Sequence, residues 1–155
     1  MAEADIARQS LYNHFPSKRD ILIAYISQAE SEWFERLEKF LKKYKNPQTK
    51  LLGIFDFRLD EQYATGFRGC HFAKVMAEVP KSDLKVVEQV SQEKDRMKSL
   101  IRELLVQIKI KNRTLGIDMI TEAIFLLFEG CTVAASVYKD ESPIVSAKTI
   151  TASLL

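Results

Sequence analysis

The sequence predicts an all-α fold, and three observations carry that expectation. Apolar residues recur at three-and-four spacing over long stretches, which is the period of an amphipathic helix. Few runs alternate polar and apolar strictly, so strands are not expected. Only five Gly and four Pro punctuate 155 residues, which leaves long uninterrupted segments between breakers.

The first element is short. Leu11 and Phe15 stand four apart and share one helical face, while Arg8, Gln9, Tyr12 and Asn13 fall elsewhere, mostly outward. Pro16 ends this helix, because it pushes residue 15 out of the α region. Ser17 is placed to cap the next helix, with Asp20 at its third position. A short helix presenting Arg, Gln, Tyr, Asn and His suits a DNA groove: Arg and Gln read base edges, and Ser, Tyr, Asn and His bond phosphate oxygens.

Ser10-Leu11-Tyr12-Asn13-His14-Phe15-Pro16-Ser17-Lys18 resembles the recognition helix and following turn of the TetR/AcrR family of transcriptional regulators, whose pattern here is Leu-Tyr-x-His-Phe followed by Lys. The resemblance implies a DNA-facing set of Arg8, Gln9, Ser10, Tyr12, Asn13, His14 and Lys18. It implies a helix-turn-helix head with its connecting helix over residues 1–45, and a ligand-binding and dimerisation body over 46–155. In the family two helices precede the recognition helix. Here residues 1–4 leave room for the end of one, and Asp5-Ile6-Ala7 lacks the Gly often found at the turn, so a partial head is expected.

The body follows in order. Residues 17–44 read as one long helix with Leu22, Tyr25, Ile26, Ala29, Trp33, Leu37, Phe40 and Leu41 as its stripe. Lys39, Lys42, Lys43 and Lys45 gather where they complement the helix dipole. Asn46-Pro47 breaks the chain, and 48–63 forms a second helix with Leu52, Phe55, Leu59 and Tyr63 on one face. Residues 65–69 are a loop and 70–78 a short helix; Arg68-Gly69-Cys70-His71-Phe72 resembles a segment that opens a central helix in some branches of the family. Residues 82–109 form another long helix, with Ser82 as its cap and a stripe of Leu84, Val87, Val90, Met97, Ile101, Leu104 and Ile108 that Lys94 interrupts. Residues 115–138 are apolar nearly all round, which in a small domain means one side in the core and one against a partner. A polar turn at 139–143 leads to a last helix with Ile144, Ala147, Ile150 and Leu154 on one face.

Composition bounds the function. With 46% hydrophobic and 28% charged residues the chain is an ordinary globular domain large enough for a real core. A net charge of +2 is too small to argue for nucleic acid by bulk electrostatics, so any DNA contact must be local. Cys70 and Cys131 form neither a metal pattern nor a disulfide framework, and a reducing cytoplasm fits them. No apolar run of transmembrane length and no signal peptide are read, so no membrane partner is expected. Cys70 beside His71 invites an enzymatic reading, but adjacent residues on a helix diverge by about 100°; an enzyme is not expected, nor a metal, nor a cofactor.

The resemblance also implies an effector enclosed by the body helices. Candidate walls are Trp33, Phe55, Phe67, His71, Phe72, Met76, Met97, Phe125 and Phe128, an uncharged lining that suits an apolar or aromatic compound. Homodimerisation through the last two helices is expected, with Leu126, Gly130, Val133, Ala134, Val137, Ile150 and Leu154 at the interface. The reading is a regulator, in the first instance a repressor, that binds operator DNA as a homodimer and is released by a small molecule. The alternative is a ligand-binding and dimerisation module without DNA binding.

Overall fold

The computed structural model of the chain describes residues 10, 13–110 and 115–155. Among them the regular structure is entirely helical. In chain order the helices are α1 (Lys18–Leu41), α2 (Pro47–Thr65), α3 (His71–Glu78), α4 (Leu84–Leu105), α5 (Ile117–Tyr138) and α6 (Ser142–Leu154). Arg8, Gln9 and Tyr12 lie outside the described residues.

Helix starts follow local chemistry. The Ser17 Oγ accepts from the Asp20 backbone N–H, so the cap sits where the sequence puts it. Asn46 caps α2 through the Thr49 N–H, with Pro47 in the first turn, where its missing donor costs nothing. At α4 the cap is Asp83 rather than Ser82. The Asp83 N–H donates to the Pro80 carbonyl and closes a turn, which makes Asp83 the last non-helical residue, and its Oδ1 accepts from Val86 N–H. This helix also stops earlier than expected. Gln107 and Ile108 donate to the carbonyls of Leu104 and Leu105, three residues back, and that tighter winding ends the α pattern.

Helix α2 is the centre of the bundle and packs on α1, α4, α5 and α6. Its buried residues are Leu51, Gly53, Ile54, Phe55, Phe57, Arg58 and Gln62, which spread around the helix rather than along one stripe. Gly53 lets Tyr44 lie against the helix: a Cβ there would stand 2.4 Å from the Tyr44 ring. The main core joins Trp33, Phe34, Leu37 and Leu41 of α1 to Leu51, Ile54 and Phe55 of α2, Met97, Ile101 and Leu105 of α4, and Ile120, Ile124 and Phe128 of α5. A second, smaller core holds Ile26, Cys70, Phe72, Val75, Val86 and Val90. Helix α1 therefore spans two cores, its N-terminal half in the small one and its C-terminal half in the large one.

Some stripes are corrected by packing. Leu84 is 73% exposed, and Val86 takes the buried position at the start of α4. Phe34 is buried on α1 although it stands outside the expected stripe. On α6 the buried face is Ile144, Ala147 and Thr151, which leaves Ile150 48% exposed. Helix α5, 22 residues long, is apolar and long enough by length and composition to cross a membrane, contrary to the expectation from the sequence. Here Ile120, Ile124, Phe125, Phe128 and Cys131 face the core, while Met119, Leu126, Val133, Val137 and Tyr138 are exposed.

Candidate effector cavity

A cavity of about 220 Å³ opens between α1, the end of α2 and the start of α3. From α1 come Tyr25, Ala29, Glu32, Trp33 and Arg36; from α2, Arg58, Glu61, Gln62 and Thr65; from the loop and α3, Gly69, Cys70, His71 and Phe72. The α1 residues it uses, 25 to 36, lie where that helix passes from the small core to the large one.

Glu61 organises the interior. Its Oε2 accepts from Trp33 Nε1 at 2.5 Å and from Arg58 Nη1 at 3.4 Å, and its Oε1 pairs with Arg36 Nη2 at 2.9 Å. One carboxylate thus ties α1 to α2. Arg58 is 5% exposed, and its guanidinium lies over the rings of Trp33 and Phe128, at 5.1 and 4.5 Å. Gln62 holds the loop: its Oε1 accepts from Gly69 N–H at 2.9 Å and its Nε2 donates to the Gly69 carbonyl at 3.4 Å. Gly66 and Phe67 both adopt positive φ there, 64° and 56°, and Gly69 follows at 77°. Lys139 of the α5 C-terminus donates to the Phe67 carbonyl at 2.8 Å, so the loop is fixed from two helices.

Behind this wall lies a second group of charges. Lys94 Nζ pairs with Glu93 at 3.1 Å and with Glu129 at 2.9 Å, and stands 3.6 Å from Cys70 Sγ. Burial pushes the Glu93 carboxyl above its ordinary range. Burial pushes Lys94 down, but Cys70, Glu93 and Glu129 outweigh it and hold the ammonium above its usual value. Cys70 and His71 turn to different partners, Cys70 to Lys94 and His71 edge-on to the rings of Tyr25 and Phe72. Burial raises the Cys131 thiol to about 11, and its Sγ donates to the Phe128 carbonyl. Among the described residues no group of three His, Cys, Asp or Glu could hold a metal ion.

Of the residues expected to line an effector site, Trp33, His71 and Phe72 meet in this cavity. The other six do not line it. Phe55, Met97 and Phe128 are central core residues, Phe55 edge-to-face on Phe128, because they sit on the helix faces that α2, α4 and α5 turn toward one another. Phe125 is buried in the same core under Lys98, Phe67 packs against it from the loop, and Met76 supports the small core. Unlike the expected uncharged lining, the wall of this cavity carries Glu32, Arg36, Arg58 and Glu61. For Arg58 the sequence carries a spacing signal. Leu51, Phe55, Arg58 and Gln62 continue one face of α2 at spacings of four, three and four, so the stripe turns polar without turning outward.

Two further surfaces carry expected residues. Ser10, Asn13, His14 and Lys18 are exposed ahead of and at the start of α1. Leu126, Gly130, Ala134 and Ile150 line an open apolar groove between α5 and α6. Val133 and Val137 continue that exposed face, and Leu154 is partly buried against the core.

No family model matches the chain, and no curated protein matches it. Two solved structures resemble it closely in shape. A TetR-family transcriptional regulator from Streptomyces coelicolor superposes with a TM-score of 0.79 at 24% identity, over 98% of this chain and 73% of that one. A TetR transcriptional regulator from Legionella pneumophila gives 0.71 at 21% identity, over 96% and 82%. The chain has the all-α fold of TetR-family transcriptional regulators.

Proposed function

We propose that the protein is a ligand-responsive transcriptional regulator of the TetR type, a repressor working in the cytoplasm rather than an enzyme. Residues 1–45 form the DNA-binding head with its connecting helix, and 46–155 the effector-binding and dimerisation body. The observation that carries this reading is the position of the cavity on α1, at the junction of the two cores. An occupant wedged between α1 and α3 bears on the half of α1 that leads to the head. The Arg19–Asp83 pair links that same half to the start of α4, and Ile26, Phe72, Val75 and Val86 share the small core, which supports α1, α3 and the α4 N-terminus responding together. A ligand moves such an equilibrium only through its different affinity for the two arrangements.

With a complete head, operator DNA is met by Arg8, Gln9, Ser10, Tyr12, Asn13, His14 and Lys18, with Arg8 and Gln9 toward base edges and the others toward phosphates. Two heads must enter successive major grooves about 34 Å apart, which requires a dimer. The exposed apolar face of Leu126, Gly130, Val133, Ala134 and Val137 with Ile150 and Leu154 supports pairing of α5 and α6 with the same helices of a second copy.

Selection from a random duplex pool, with the protein carrying a complete helix-turn-helix head, tests the proposal. The expected result is enrichment of a two-fold symmetric sequence, with Lys18→Ala weakening binding to all duplexes and flattening the salt dependence by about one counterion. A dimer that enriches no sequence would instead establish the ligand-binding and dimerisation module.

A further inference from the structure

We infer that the cavity takes a small aromatic anion, with an aromatic carboxylate as the simplest case. The inference rests on reading this cavity as the effector site and adds the chemical class of the occupant. Three features of the wall carry it.

The first is charge. Two guanidiniums, Arg36 and Arg58, share the single carboxylate of Glu61, both of whose oxygens are already engaged, Oε2 also by Trp33. Glu32, the other carboxylate in the wall, is exposed and accepts from Gln28 at 2.8 Å. Neighbouring Glu93 feels the Arg58 charge but pairs with Lys94 and does not line the cavity. The two Arg and two Glu of the wall balance in charge, but both oxygens of Glu61 are engaged and Glu32 is exposed, so the interior offers no free carboxylate to a cation.

The second feature is an unsatisfied donor. Arg58 is buried, makes one long bond to Glu61, and its Nε has no hydrogen-bond partner. A buried guanidinium held this loosely gains most from an added carboxylate, whose paired oxygens match its fork. The third feature is shape. Trp33, Phe72 and His71 supply flat walls, and about 220 Å³ is below the roughly 300–1,000 Å³ of pockets for drug-sized ligands, so the ring system is small.

Benzoate, benzamide and benzylammonium have similar size and differ in charge, and binding of each can be followed by calorimetry and by the fluorescence of Trp33, the only tryptophan. Benzoate is expected to bind at least about tenfold more tightly than either of the others, the scale of a charge-assisted hydrogen bond. Arg58→Gln should bring benzoate down to the level of benzamide and leave benzamide unchanged, while Arg58→Lys retains part of the preference. Arg36→Gln, at the more exposed of the two guanidiniums, removes one partner of Glu61 without emptying the core and should weaken benzoate alone. Benzamide binding as well as benzoate, or benzylammonium binding better, overturns the anionic class while leaving the cavity as the effector site. Failure of all three to bind at their solubility limits overturns both readings.

Discussion

Replacing Lys94 by Met separates packing from charge at a largely buried ionic group. The Met side chain is close in length and apolar, so the volume is kept while the ammonium is lost. In the wild-type protein that ammonium faces Glu93, whose side chain is 4% exposed, and Glu129, at 27%. At an effective dielectric near 20 each pair is worth about 5 kcal/mol of attraction, set against a desolvation cost of several kcal/mol for each ion. Removing the shared cation loses both attractions, leaves two carboxylates facing each other, and recovers only the cost of burying the ammonium. The net expectation is about 3–5 kcal/mol of destabilisation, typical of breaking a buried pair from one side. For a chain of this length that is a fall in Tm of roughly 6–20 °C.

The pH dependence follows from Glu93. Its folded pKa is raised by burial, so its contribution to stability is full below the ordinary carboxylate range and is lost as pH rises through the raised value. The deficit of Lys94→Met should therefore be largest at neutral pH and shrink on acidification, and Glu93→Gln added to it should restore at least half. Urea unfolding, followed by circular dichroism at fixed protomer concentration, reads all of these. A deficit under about 1 kcal/mol would refute the reasoning, because an exposed pair is worth no more than that. So would a deficit that neither pH nor Glu93→Gln alters.

Gly53→Ala places a Cβ 2.4 Å from the Tyr44 ring, which is itself tied through its hydroxyl to Asp56; overpacking should cost about 1–3 kcal/mol, read by the same unfolding assay. Gly130→Ala, where a Cβ meets nothing within 4 Å, should stabilise a monomeric fold by about 0.5–1 kcal/mol. Gly130→Glu and Ala134→Glu put a charge on the α5–α6 groove, and sedimentation should show a dimer for the unaltered chain and a monomer for either variant. A dimer that survives both substitutions places the interface elsewhere.

The sequence by itself determined what depends on near neighbours along the chain. The helical period, the breaker at Asn46-Pro47, the Ser17 cap and the end of α3 before Pro80 are set within a few residues, and each is found where it was expected. The apolar surplus on 115–138 also marked a helix with an exposed apolar side, because more apolar surface than one face can bury is visible in composition alone. Which face of a helix becomes core was decided by tertiary packing. Asp83 took the cap from Ser82 because the turn from Pro80 closes on it, and Phe34 and Val86 were buried where they met other helices.

The cavity lay further from the sequence still. Large apolar residues in the sequence point toward it, yet Phe55, Met97 and Phe128 fill the space between α2, α4 and α5 instead. Its chemistry came from Arg36, Arg58 and Glu61, which look like surface charges until α1 and α2 are laid side by side. Arg58 and Glu61 are one helical turn apart on α2, but what shields them, Trp33 and Phe128, is supplied by α1 and α5, 25 residues before Arg58 and 70 after it in the chain. Burial of a charge is a property of the assembled bundle: spacing puts Arg58 on the apolar face of α2, and only the neighbouring helices turn that face into an interior.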